Sequence, residues 1–142
     1  MTCASLGVVS DSQAAEVMSR FEKRGYKLLA AKVMVPTREI AESHYQEHKG
    51  RPFFPALIDF ITSGPVLAMV WEGVDVVKVG RMMIGTTRPV DSPPGTIRGD
   101  VAIVRDGGCG NVVHGSDSEA AANREIDLWF GPAEMVRGSA YA

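Results

Sequence analysis

The apolar and polar positions of this chain alternate between two periods, and each change of period marks a predicted element. Residues 1–9 are weakly apolar and read as a short strand. Ser10 and Gln13 then stand at capping-box spacing, and Ala14, Val17, Met18 and Phe21 share one helical face that Gly25 ends. Tyr26 to Val35 is apolar and partly β-branched, a strand stopped by Pro36. Ile40, Ala41 and Tyr45 mark a helix from about Thr37 to His48. The corner Arg51-Pro52-Phe53-Phe54-Pro55 leads into a short helix carrying Leu57, Phe60 and Ile61, and Ser63-Gly64-Pro65 is turn chemistry. Val66 to Trp71 is continuously apolar, as a buried central strand is.

Val74 to Ile84 returns to helical spacing. A long irregular segment follows from Gly85 to Asp100, rich in Pro, Gly, Thr and Arg. A second loop, Arg105 to Gly110, precedes a focal stretch, Asn111-Val112-Val113-His114-Gly115-Ser116-Asp117-Ser118. Here a buried strand ends in a histidine, and a small polar turn opens onto a helix from about Ser118 to Phe130. Strands and helices mix without strict alternation, which predicts an α+β sheet covered by helices on one side.

The bulk numbers narrow this picture little. A length of 142 residues predicts a single domain spanning 1–142, with 45% hydrophobic and 23% charged residues as in ordinary globular proteins. A net charge of −2 argues against a nucleic-acid partner, so any phosphate recognition must come from clustered arginines. Cys3 and Cys109 form neither a metal-type spacing nor a disulfide framework. No stretch is of membrane-spanning length, and the opening residues lack a basic region, so a cytoplasmic protein is expected.

His114 admits two readings. It is a ring closing a strand end, or a nucleophile or proton shuttle facing an anion beside a helix N-terminus. The last helix bears on the choice. At 100° per residue Ala121, Ala122, Leu128 and Trp129 form an apolar stripe with Glu125 in its middle. A carboxylate so placed needs a partner, and bonding one ring nitrogen of His114 would raise the nucleophilicity of the other. The alternative is a Glu reaching past small alanines into solvent.

Arg81, Arg88 and Arg98, with Thr87 and Thr96, offer phosphate-binding forks, or else a solvated loop with scattered charges. His44-Tyr45-Gln46-Glu47-His48 matches a literal H-x-x-E-H zinc pattern, but zinc needs a third protein ligand and a sheltered cleft. Adjacent Phe53 and Phe54 would point to different sides, one into the core and one free to face a base, or else both pack in the core.

Five stretches carry a resemblance. Arg51-Pro52-Phe53-Phe54-Pro55, Ser63-Gly64-Pro65-Val66, Met69-Val70-Trp71-Glu72-Gly73, Gly95-Thr96-Ile97-Arg98-Gly99-Asp100 and Asn111 to Ser118 closely resemble nucleoside diphosphate kinases, in order, from about Phe21 to Pro132. The resemblance implies an α+β fold with a ferredoxin-like βαββαβ core. Its antiparallel four-stranded sheet would be covered by helices, with the first strand shortened or divergent. It also implies ping-pong transfer of a γ-phosphate from a nucleoside triphosphate, ATP or GTP among others, to a diphosphate, with Mg²⁺ on the nucleotide. Carried over by position, His114 is the nucleophile that becomes a phosphohistidine, Glu125 orients it and Ser116 holds that carboxylate. Tyr45, Arg81, Thr87, Arg98 and Asn111 contact phosphates or ribose, Phe53 and Leu57 the base, and Asp117 the metal through water. The family's long loop corresponds to Gly85 to Asp100 and implies a homo-oligomer, a hexamer or tetramer.

Two departures are visible. Counting back from Phe21 without a gap puts Ser5-Leu6-Gly7-Val8-Val9 where the family carries Lys-Pro-Asp-Gly-Val with a phosphate-binding lysine. Arg105 to Gly110 also carries a few extra residues beside the base. The leading expectation is therefore an enzyme of reduced activity. The alternative is a catalytically weak or inactive member acting as a nucleotide-binding or oligomer-partner subunit.

Overall fold

The computed structural model describes residues 13–101 and 113–136 together with the backbone of residues 2–10. Four strands, β1 (Thr2–Ser10), β2 (Lys27–Met34), β3 (Val66–Val74) and β4 (Val113–Gly115), form one sheet in the order β2-β3-β1-β4. Every neighbouring pair is antiparallel. Among the described residues six α-helices accompany them: α1 (Ala14–Lys23), α2 (Arg38–His44), α3 (Phe54–Thr62), α4 (Val76–Ile84), α5 (Ile97–Val101) and α6 (Glu119–Trp129). The architecture is α+β, and among the described residues no helix is long and apolar enough to cross a membrane.

The central strand β3 explains the layering. Successive side chains of a strand point to opposite faces. Val66, Ala68 and Val70 accordingly pack with Ala41 of α2, Ile58 and Ile61 of α3, and Ile126 and Trp129 of α6. Met69 and Trp71 pack instead with Val17 and Phe21 of α1 and with Val76, Val77 and Ile84 of α4. Helices cover both faces of the sheet, not one, because β3 is apolar on both sides.

Several boundaries differ from expectation for identifiable reasons. The first strand is not short: it pairs with β3 along its whole length, from Thr2 opposite Val74 to Ser10 opposite Val66. A place between two partner strands supplies the pairing that its weak apolar pattern does not advertise. The same pairing carries β3 through Glu72 and Gly73 to Val74, so α4 starts at Val76, two residues later than the helical spacing suggests. Gln13 is the N-cap residue of α1 and makes no side-chain cap, so the Ser10–Gln13 spacing does not form a capping box.

The helix expected to run to His48 ends at His44, and Gln46–His48 is a separate 3-10 turn tightened by a His48 N–H to Tyr45 carbonyl bond of 2.9 Å. The segment from Gly85 to Asp100 is not irregular throughout. It holds a 3-10 turn at Pro89–Asp91 and the start of α5, whose first turn is organised by Thr96 Oγ1 donating to the Pro93 carbonyl at 2.6 Å. Gly85, at φ +101°, turns the chain out of α4 where a Cβ would lie 2.8 Å from Ser92 Oγ. The loop Arg105 to Gly110 and the residue Asn111 lie outside the described residues.

Candidate active site

Among the described residues β4 runs from Val113 to Gly115, and His114 within it is paired with Val8 of β1. The strand is pinned from the side: Arg98 of α5 donates through Nη2 to the Val113 carbonyl at 2.8 Å and through Nη1 to the Thr86 carbonyl at 2.9 Å. Gly115 lets it approach α4 closely, since a Cβ there would meet Ile84 Cδ1 at 2.6 Å. The chain then turns through Ser116 and Asp117, and Ser118 Oγ caps α6 by accepting from the Ala121 N–H at 3.1 Å.

Capping fixes the rotation of α6 and with it the inward face. Its buried residues are Ala122, Glu125, Ile126 and Trp129. Ile126 joins the stripe, Leu128 packs against the same cluster while only partly buried, and Glu125 sits among them at 3% exposure. Ser116 Oγ donates to Oε2 at 2.6 Å, and His114 Nε2 faces Oε1 at 3.5 Å, a contact outside hydrogen-bond geometry. Burial alone would push this carboxyl up. The His114 ring and the Ser116 hydroxyl outweigh it and hold the group below its ordinary value.

A residue singled out in sequence only for zinc completes the cluster. His44, 2% exposed at the end of α2, stacks edge-on against His114 with ring centroids 4.3 Å apart. Its Nδ1 accepts from the Trp129 indole N–H at 3.1 Å. Burial, followed by the neighbouring His114 and opposed by Glu125, lowers its pKa to about 3. The H-x-x-E-H pattern does not assemble, because the helix breaks after His44. His48 turns instead to Phe53, 5.4 Å between rings, and to Tyr45. No sequence signal marked His44 as part of this cluster, since its partners lie 70 and more residues away.

Tyr45 stands 5.9 Å from His114, ring to ring. Desolvation, reinforced by Glu125 and opposed by Arg98, raises its hydroxyl to about 12, so it is a neutral donor. Arg81 is exposed on α4 and lines a small cavity with His114 and Ser116. Arg98 is its neighbour. Burial and then the Arg81 charge lower the Arg98 guanidinium, a pair of cations poised for an anion. The other loop candidates diverge from this point: Arg88 pairs with Asp91 at 3.4 Å, and Thr96 caps α5. Thr87 and Asp117 are exposed, Leu57 is half-buried, and Phe53 is 48% exposed while Phe54 packs onto the core.

A histidine held at one nitrogen by a buried carboxylate, with paired arginines beside it, defines a site for moving an anionic group, built on an α+β sheet. The model of the family described as "Nucleoside diphosphate kinase" matches residues 7–135. A nucleoside diphosphate kinase of Schizosaccharomyces pombe is 57% identical over 119 residues, which cover 84% of this chain and 77% of that protein. A solved structure of a halophilic nucleoside diphosphate kinase from Halobacterium salinarum in complex with CDP superposes with a TM-score of 0.91 at 39% identity, covering 99% of this chain and 95% of that one. A transition-state mimic of the Borrelia burgdorferi enzyme with vanadate and ADP gives 0.89 at 32% identity, covering 99% and 94%. The chain belongs to the nucleoside diphosphate kinase family.

Proposed function

We propose that this chain is a nucleoside diphosphate kinase working through a phosphohistidine at His114. The observation that carries the reading is the Ser116–Glu125–His114 succession. Glu125 faces Nε2, which keeps that nitrogen protonated and leaves the Nδ1 lone pair for attack. In the first half-reaction Nδ1 bonds to the γ-phosphorus as the bond to the bridging oxygen breaks and the diphosphate leaves with that electron pair. In the second, an oxygen of the acceptor diphosphate takes the phosphoryl group and restores the free imidazole. Glu125 balances the positive charge the ring carries while phosphorylated.

Such a transition state needs positioning and charge neutralisation more than covalent machinery. Arg81 and Arg98 supply both to the phosphate oxygens, with Tyr45 and Thr87 as donors and Asn111 a further contact. Phe53 stacks on the base with Leu57 beside it, and stacking without edge readout suits ATP, GTP and the other nucleotides alike. Mg²⁺ would neutralise the nucleotide's phosphates. The exposed Asp117 carboxylate, three residues after His114, is a hard oxygen donor that fits such an ion through a water.

The strand order β2-β3-β1-β4 supports a ferredoxin-like βαββαβ core, and the one sheet shared by both apolar clusters supports a single domain over 1–142. A homo-oligomer, tetramer or hexamer, is supported by the edge strand β2 and the segment after it, where Val33 and Val35 are 72% and 56% exposed. Light scattering at the mass of a monomer would overturn that assembly.

Activity is reduced in this reading. Arg20 is the first cation of the chain, so β1 brings none to His114. Ser5, the position matched to the family's lysine by counting, pairs with Trp71 three residues from Val8, roughly 10 Å along the strand. The same fact favours the second reading, a catalytically weak nucleotide-binding or oligomer-partner subunit. Incubation with γ-labelled ATP separates them. Acid-labile label on the wild type, absent from His114→Ala and discharged by GDP, is the expected result. An unlabelled wild type that is nonetheless thermally stabilised by nucleotide would establish the weak subunit, and label persisting in His114→Ala would exclude both the residue and the mechanism.

A further inference from the structure

His44, His114 and Glu125 each offer a ligand atom within 4.8 Å of the others, a His₂Glu set of the kind that holds zinc. The hydrogen bond behind it argues for a different role. An indole nitrogen only donates, so the Trp129 bond makes His44 Nδ1 the acceptor and puts the proton of the neutral ring on Nε2. A histidine that ligates through Nε2 must instead carry its proton on Nδ1, where it would meet the indole N–H head-on. We propose that Trp129 locks His44 as the Nε2–H tautomer, and that this neutral ring is a positioning residue which holds the His114 imidazole edge-on and withholds a metal ligand from the cluster.

The surroundings agree. His44 Nε2, like His114 Nε2, is buried with no hydrogen-bond partner among the described residues, so no hydrogen bond on Nε2 competes with the one that sets the tautomer at Nδ1. The titratable and charged groups around it are His114 from β4, Glu125 and Arg124 from α6, and Tyr45 next in its own chain. Burial keeps the ring uncharged, as an imidazolium here would compete with His114 for the one carboxylate. Free of that competition, Glu125 serves His114 alone. The face of His114 lies against His44, and its Nε2 faces Glu125 Oε1 at 3.5 Å.

The inference rests on phosphotransfer through His114, and the experiment separates the two. Nitrogen-15 NMR of the histidines in the wild-type protein should show His44 with a bare Nδ1 and a protonated Nε2 between pH 6 and 8, whatever the activity. A protonated Nδ1 would overturn the lock. His44→Phe keeps a flat ring and removes the N–H. It should lower kcat roughly ten- to a hundredfold with nucleotide KM unchanged, and a kcat equal to that of the wild type would overturn the positioning role. Trp129→Phe removes the indole N–H together with the buried five-membered ring that carries it, so thermal unfolding first checks that the variant is folded. The substitution should make transfer sensitive to Zn²⁺, with bound Co²⁺ visible by its absorption spectrum, whereas a wild type equally sensitive to Zn²⁺ would refute the withheld ligand. Should the wild type transfer no phosphate at all, the proposed function fails while the tautomer measurement still stands.

Discussion

Two polar regions lie a few residues apart around His114 and are held in opposite ways. In the corner between β4 and α6 the polar atoms bond side chain to side chain between different elements: Ser116 to Glu125 across nine residues, and Trp129 to His44 across 85. In the segment leading to α5 they bond locally and to backbone. Thr86 Oγ1 donates to the Arg88 carbonyl, Ser92 Oγ to the Thr86 carbonyl, and the Gly95 N–H to Asp100. The first region exists only once the whole sheet has formed; the second largely shapes itself. In the proposed mechanism the chemistry, which needs a fixed ring and a buried charge, belongs to the first, and binding of the nucleotide runs along the second. Substitutions in the corner should therefore act on kcat and on acid stability, and those in the loop on fold stability and KM.

The sharpest break of this division is Glu125→Gln. The Ser116 hydroxyl would keep donating to the remaining side-chain oxygen, which turns the new NH₂ toward His114 Nε2. The ring must then accept at Nε2 and carry its proton on Nδ1, the nitrogen that attacks. A loss of kcat on the order of 10³-fold is expected, comparable to a wrong-tautomer histidine elsewhere, with KM nearly unchanged. Acid unfolding should respond as well. The folded pKa of Glu125 lies below its unfolded value, so its stabilising contribution is present above the unfolded value, near pH 4, and fades as pH falls through the folded one. The wild type should lose stability through that window more steeply than Glu125→Gln. Equal slopes would show that Glu125 is not held ionised by His114 and Ser116.

How far the sequence could be read follows the same division. Glu125 was legible because a charge on an apolar helical stripe breaks a periodic pattern, and His114 because a strand ran into it. The turn at Ser63-Gly64-Pro65 is local chemistry and was equally legible. What local pattern could not carry was anything decided by a partner strand or a distant ring. β1 is longer than its composition suggests because β3 pairs with it residue by residue. α2 stops short because His44 is drawn under His114 and Trp129. Arg98 read as a phosphate ligand; its place in the structure adds a second task, since its fork also ties Gly85, Thr86 and Val113 together.

That double engagement makes Arg98 the residue that joins the two regions. Arg98→Ala would leave three carbonyl oxygens without their donor and release β4 from α5. A loss of about 2–4 kcal/mol is expected, since bonds to charged groups contribute more than neutral ones and buried acceptors would be stranded. Urea unfolding measures it. Arg98→Lys keeps the charge but not the fork and should recover less than half of the loss. A variant with unchanged stability but weaker nucleotide binding would mean that the guanidinium serves the ligand alone.

The smallest expected effect tests the outer end of the loop-side region. Phe53 is 48% exposed and touches the His48 ring, with its neighbour Phe54 taking the core position. Truncating an exposed ring removes little packing, so Phe53→Ala should change stability by less than about 0.5 kcal/mol. Its flat face is what the base loses. Stacking of one base on one aromatic ring is worth roughly 1–3 kcal/mol, and partial exposure argues for the lower end, so KM should rise about tenfold with kcat held. Because stacking does not read base edges, the rise should be the same for adenine, guanine and cytosine nucleotides. A rise confined to one base would place a specific contact near Phe53 and undo the picture of an indifferent platform; no rise at all would move the base off this ring.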